Sequence, residues 1–161
     1  MPASTFEIIA NNWEDENIVL CSIVTACSNA KLHMIIYKGN LEVRVEPESE
    51  NGFVFEIRTA RTLEWYYQKY PMAKEEPEER IPYFVYHRYF DGTRKYSIAM
   101  ANNYLDSELI WKFSAEYLKA NPKHIISVNR EVFIDADRMA KIVKTSEYRE
   151  GWCFNEEDLP S

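Results

Sequence analysis

Apolar and polar residues alternate most regularly between Leu32 and Thr59, in the runs "LHMIIYK", "LEVRVE" and "FVFEIRT". Gly39-Asn40 separates the first two runs, and Asn51-Gly52 precedes the third. A period of two marks strands with one buried face, and both dipeptides suit the positive φ of tight hairpin turns. With Gly39-Asn40 as a two-residue loop, Met34 faces Val45 and Ile36 faces Val43 on one side. Tyr37 with Glu42, Ile35 with Arg44 and His33 with Glu46 pair on the other. The pattern therefore predicts a three-stranded antiparallel meander over 32–59, with Met34, Ile36, Val43, Val45, Phe55 and Ile57 on its buried face.

Helical spacing governs four other stretches. "DENIVLCSIVTACSNA" fits a helix opened by Asp15 with Ile18, Val19, Ile23 and Ala26 inward, although its β-branched content also allows a strand over 16–28. "TARTLEWYYQKYP" reads as a short helix begun near Thr59 or Thr62 and closed by Pro71. "LDSELIWKFSAEYLKANP" has Asp106 as N-cap, Ile110, Phe113 and Tyr117 on one face, and Asn121-Pro122 as its stop. "HIISVNREVFI" is one bent strand or a small hairpin, after which Asp135 caps a last helix from Ala136 to about Thr145 with Met139, Ile142 and Val143 inward.

The stretch from Tyr83 to Met100, "YFVYHRYFDGTRKYSIAM", is unusual in carrying bulky rings on both sides of a strand. If Asp91-Gly92 is a two-residue turn, Val85 faces Ile98 and Tyr83 faces Met100 on a core side. Phe84, Tyr86 and Phe90 then occupy the other side, with Arg88 against Lys95. Three bare rings would form a large apolar patch for a monomer. The expected cover is the last helix with the Trp152-Cys153-Phe154 segment, or a partner, with Phe90 left accessible beside the turn.

Strands joined by tight turns are antiparallel, so the fold class is α+β. The expectation is a single domain over 1–161, its sheet of about five to seven strands packed against three to four helices, with a short acidic C-terminal tail from about residue 155. The first eight elements, in order, resemble the small secretion-chaperone fold. That likeness is one of element order and transfers no site residue.

Composition changes this picture little: 161 residues, 46% apolar and 28% charged, describe a globular chain that folds without metal or disulfide. The net charge of −7, gathered in "EPESE", "KEEPEER" and "NEEDLPS", argues against a nonspecific grip on nucleic acid. Three cysteines without CxxC spacing indicate neither a disulfide framework nor a zinc site. No run of eighteen apolar residues and no basic leader occurs, so the expected location is cytoplasmic, without membrane contact.

Candidate chemistry is sparse. His33, His87 and His124 fall in predicted strands with no second ligand at metal spacing. Cys21 and Cys27 have apolar neighbours and read as packing. Glu56 and Arg58 alternate on a strand in the manner of metal-dependent nucleases, where an acid holds a divalent ion and a base steadies the phosphate. They also share the meander's solvent face with Glu42 and Arg44, which reads as an exposed charge ladder. The glycines form no phosphate loop, so no nucleotide cofactor is implied. The 83–98 hairpin, with Phe84, Tyr86, Phe90 and basic Arg88, Arg94 and Lys95, is a possible stacking surface for single-stranded RNA. The reading favoured over both is a non-enzymatic interaction module of adaptor, chaperone-like or immunity-like type. It would bind a protein partner, or itself, through Phe84, Tyr86, Arg88 and Phe90 on an aromatic sheet face, with no cofactor and no metal.

Overall fold

In the computed structural model, which describes residues 4–50, 52–103 and 107–160, the first strand forms before any element indicated by the hydropathy pattern. The chain runs β1 (Ser4–Ala10), α1 (Glu16–Asn29), β2 (Met34–Tyr37), β3 (Glu42–Val45), β4 (Phe53–Ile57) and α2 (Ala60–Lys69). It continues through β5 (Phe84–Val85), β6 (Lys95–Asn103), α3 (Ser107–Ala120), β7 (Ile125–Val128), β8 (Val132–Ile134) and α4 (Ala136–Thr145). The class is α+β: one antiparallel sheet in the order β2-β3-β4-β6-β1-β7-β8, with β5 pairing the start of β6. Among the described residues the sheet has eight strands, against the expected five to seven or so, and β1 lies inside it between β6 and β7. An initial strand also departs from the element order of the secretion-chaperone fold.

Residues 16–28 are helical. Asp15 caps α1 by accepting from the Asn17 N–H, and Val19, Ile23, Ala26 and Cys27 are its buried side, while Ile18 is exposed. Thr59 and Thr62 build a reciprocal capping box on α2. Asp135 caps α4, whose inward side is Met139 and Ile142 together with Arg138 in place of Val143. Asp106, expected to cap α3, lies outside the described residues. Helices α1, α3 and α4 cover one face of the sheet, where Phe6, Phe53, Phe55 and Phe113 form a ring cluster with centroids 4.9–6.1 Å apart. Trp152 and Cys153 join this core, whereas Phe90 and Phe84 belong to two other clusters.

The meander has the expected register, with Met34 opposite Val45, Ile36 opposite Val43 and Tyr37 opposite Glu42. Its turns differ from expectation. Lys38–Asn40 form a 3-10 turn, and the positive φ falls on Leu41 at 54° rather than on the Gly-Asn dipeptide. The β3–β4 connection runs from Glu46 to Gly52. A Cβ on Gly52 would meet the Glu46 carbonyl oxygen at 2.2 Å, which is why glycine stands there. Met34 is only half-buried and Ile36 is exposed, because β2 is the sheet's edge.

The 83–100 hairpin is the main correction. Phe84 pairs with Tyr96 and Val85 with Lys95, so Val85 does not face Ile98 and Tyr83 does not face Met100. Asp91 and Gly92 do adopt positive φ, 54° and 76°, but they close a 3-10 turn at Arg88–Phe90 instead of joining paired strands. His87 Nδ1 accepts from the Tyr89 N–H at 3.0 Å and Thr93 Oγ1 donates to the Phe90 carbonyl at 2.6 Å. These side-chain bonds hold a nine-residue loop where a two-residue turn was expected, and the odd register shift exchanges the faces.

Candidate interaction site

The sheet's second face can be followed along one transverse row of directly paired residues: Tyr37, Glu42, Glu56, Met100, Glu7, Ser127 and Phe133. Burial changes abruptly along it. Glu7, Ser127 and Phe133 are sealed, Met100 is intermediate, Glu56 is exposed, and Glu42 and Tyr37 beyond it are half-buried. The segment from α2 through the 86–94 loop covers the sheet from β6 to β8, and the face of β2–β4 is left open.

Under that cover lies a charged cluster that spacing does not reveal. Glu7, 1% exposed, accepts from Arg130 Nε at 2.9 Å and Nη2 at 3.0 Å, and Arg58 Nη1 lies 4.0 Å away. Both guanidiniums also donate to the Pro82 carbonyl, at 3.0 Å from Arg58 and 2.7 Å from Arg130. Arg58 donates further to Ser97 Oγ (3.2 Å), reaches Met100 Sδ (3.2 Å) and sits 4.9 Å from the Tyr83 ring centroid. Burial lowers the Arg58 pKa below its ordinary value, and Glu7 acts in the opposite direction. Arg130 is presented from a turn in which Asn129 and Arg130 both have positive φ, 56° and 52°. The Asn129 side chain pins this turn to the Thr5 N–H at 2.8 Å.

This cluster overturns the exposed-ladder reading of Arg58, which leaves the solvent face because β4 ends at Ile57. Its N–H then bonds the Ile98 carbonyl at 2.9 Å, and the side chain turns inward. Glu56 stays outside. The nuclease-like pairing of Glu56 with Arg58 thus loses its phosphate-facing base, since the guanidinium is committed to Glu7, Pro82, Ser97 and Met100. Among the described residues no group of three or more His, Cys, Asp or Glu is placed to hold a metal ion.

The four residues first assigned to an aromatic interaction face are not an open patch. Phe84 is buried between Trp13 and Tyr96, with Arg94 over its ring at 4.9 Å. Phe90 is buried rather than accessible, packed edge-on to Phe133 at 5.0 Å with Ile9 and Val85 beside it. Tyr86 is half-buried, its hydroxyl donating to Glu78 at 2.5 Å, and Arg88 is exposed. The stacking surface considered for single-stranded RNA is therefore closed at its two phenylalanines.

His124 forms a relay, its Nε2 2.8 Å from Glu14 Oε1 and its Nδ1 2.8 Å from Tyr117 Oη. The connectivity of acid, imidazole and hydroxyl suits nucleophilic catalysis. However, Tyr117 is fully buried and burial raises its pKa, so the relay acts as a bracket between the start of α1 and the end of α3. His33 pairs with Glu46 through its backbone: its N–H donates to Glu46 Oε1 at 2.9 Å and its carbonyl accepts from the Glu46 N–H at 2.8 Å. The cysteines are free. Burial pushes the Cys27 and Cys153 thiols up to about 12, whereas Cys21 is exposed. Iodoacetamide at about pH 8 is accordingly expected to alkylate the native chain once, at Cys21, and rapid labelling of Cys27 or Cys153 would contradict this packing.

What the open half of the second face offers is apolar. Ile35 and Val54, 42% and 37% exposed, flank Arg44 in the next transverse row, and Ile36 is 46% exposed along the free β2 edge. Arg44 lies over the Tyr37 ring at 4.5 Å. Where this face meets α2, a cleft of about 230 Å³ is lined by Asn40, Glu42, Glu56, Arg58, Trp65 and Tyr83. Trp65 is 56% exposed, and α2 buries none of its residues completely. A larger depression beside Tyr89 and Asp135 is internally satisfied: the tyrosine hydroxyl donates to Asp135 at 2.8 Å, and Arg138 binds the Pro160 carbonyl at 2.7 Å and Glu156 at 2.5 Å. Those last contacts strap the acidic C-terminal segment to α4. No described helix is long and apolar enough to cross a membrane. Compared with protein-family models, with curated proteins and with solved structures, the chain gives no match in any of the three.

Proposed function

We propose that this chain is a protein-interaction module whose docking surface is the open face and free edge of the β2–β4 meander, bordered by Trp65. The observation that carries the reading is the interrupted cover of the second face, which leaves Ile35, Val54 and Trp65 in solvent, beside a free β2 edge whose Ile36 is exposed on the opposite face. An edge strand with exposed isoleucines invites pairing with another chain, and exposed tryptophan is enriched where partners bind. The surface first assigned to the aromatic hairpin thus moves to the other half of the same sheet.

Site-specific photo-crosslinking tests the reading. A benzoylphenylalanine at position 35 or 54 is expected to give one discrete adduct in producing cells, identified by mass as a partner protein or a second copy. The same group at position 119, exposed on α3, gives none. Val54→Glu should suppress the adduct from position 35 while the melting temperature stays nearly unmoved, as expected for a surface change. Equal adducts from positions 35 and 119, or none from 35 and 54, would remove the proposal.

A further inference from the structure

We infer that the free edge of β2 pairs with the β2 edge of a second copy of this chain, antiparallel and centred on Ile35. This rests on the docking reading and names the occupant of its edge. The two ends of the sheet differ: β8 is buried along its whole length, whereas among the described residues no strand pairs with the outer side of β2. Met34-Ile35-Ile36-Tyr37 carries none of the charges, prolines or bulges that keep natural edges apart. The ladder fixes which backbone groups this edge presents. The Glu46 N–H donates to the His33 carbonyl, and the Ile57 N–H to the Leu41 carbonyl, both at 2.8 Å. Bonded pairs alternate along an antiparallel ladder, so His33, Ile35 and Tyr37 bond to β3, and the N–H and C=O groups of Met34 and Ile36 point out of the sheet.

These outward groups are symmetric about Ile35. A two-fold axis through Ile35, perpendicular to the sheet, sets Met34 of each copy opposite Ile36 of the other, and every outward N–H then meets a carbonyl. Centring on Met34 or on Ile36 instead would set outward groups against Leu32 or Lys38, which lie outside β2, Lys38 in its 3-10 turn. The side chains agree with the Ile35 register. Ile36, exposed on the helix-covered face, gains cover from the half-buried Met34 of the other copy. On the open face Ile35 meets Ile35 in a non-hydrogen-bonded pair, where side chains approach most closely. Beyond Tyr37, Lys38 of one copy comes to the end of the strand where the other copy carries Glu46, Glu48 and Glu50 against a single lysine, Lys31. The joint is therefore complementary in charge although each chain carries −7. The open faces of the two copies run on as one surface.

Sedimentation equilibrium of the full chain tests the inference. Residues 33–37 fall short of the roughly 20–30 a side of a standard interface, so the mass is expected to rise from one chain towards two between about 1 μM and 1 mM. Ile36→Pro should stay a monomer with its melting temperature nearly unmoved, because the N–H it removes bonds nothing in its own sheet. Ile35→Cys in a Cys21→Ser background should form a disulfide-linked dimer in air, since Cα atoms of a non-hydrogen-bonded pair lie about 4.5 Å apart, within the span of a disulfide. Val54→Cys, in the same row but on β4, and Lys119→Cys on α3 should not link, and Cys27 and Cys153 are buried. A dimer that Ile36→Pro leaves intact would overturn the β2 pairing. A chain monomeric up to about 1 mM, with no more linkage from position 35 than from 119, would overturn it as well. In that case an adduct of position 35 with a different protein would leave the docking face standing, and no adduct from 35 or 54 would remove both.

Discussion

Glu7→Gln is expected to cost about 3–5 kcal/mol of stability, because breaking a buried ion pair from one side leaves the other charge without compensation. For a chain of this length that corresponds to a fall in melting temperature of roughly 10 °C. The carboxylate is 1% exposed and accepts both members of the Arg130 fork, at 2.9 and 3.0 Å, with Arg58 on its other side. Glutamine keeps the shape and removes the charge. Two guanidiniums that share the Pro82 carbonyl then face one another across a neutral amide, Arg58 already disfavoured by burial. The loss should appear in thermal denaturation and as faster limited proteolysis near Pro82 and Phe84, whose carbonyls the arginines hold. A melting temperature within about 2 °C of the parent would show that the cluster does not carry this half of the fold.

The same residue explains why the central strand escaped sequence reading. In "STFEIIA" the alternation of Phe6, Glu7 and Ile8 lasts three residues before a bulge at Ile8/Ile9 breaks the period, and no pattern rule places its acid inside a sheet. Its partner Arg130 is 123 residues away, in a turn that reads only as a link between two short strands. The meander was legible because its information is local: two apolar faces in phase fix the register even though the turn chemistry differs from the dipeptide signal. At Asp91-Gly92 the opposite holds. The dipeptide does supply positive φ, but His87 and Thr93 decide how many residues lie between the strands, and that number sets which rings face the core. Arg58 was visible as a chemical candidate, and its direction was not, since it depends on where β4 ends. The open docking face was half legible. Ile35, Tyr37, Glu42, Arg44 and Glu56 lie on the side read as solvent-facing, whereas the exposure of Trp65 and its place beside Glu42 follow from how α2 returns to the sheet.

Phe90→Ala is expected to cost about 3 kcal/mol, the lower end for a buried phenylalanine, because its cluster is a small satellite of the main core. The ring is packed edge-on to Phe133 and Tyr89, at 5.0 and 5.5 Å, with the Lys95 ammonium 5.8 Å from its centroid. Removing it opens a void beneath the 86–94 loop that His87 and Thr93, bonded to their own turn, cannot collapse to fill. Arg88→Ala, two residues earlier and exposed, should change stability by no more than about 0.5 kcal/mol. If the docking face is the β2–β4 meander, Phe90→Ala retains the adduct formed from position 35 at temperatures where the variant is folded. Ile35→Glu does the reverse, keeping its melting temperature and losing the adduct formed from position 54. A stable Phe90→Ala protein that no longer associates would return the interaction surface to the aromatic hairpin and leave the open meander as ordinary solvent-facing sheet.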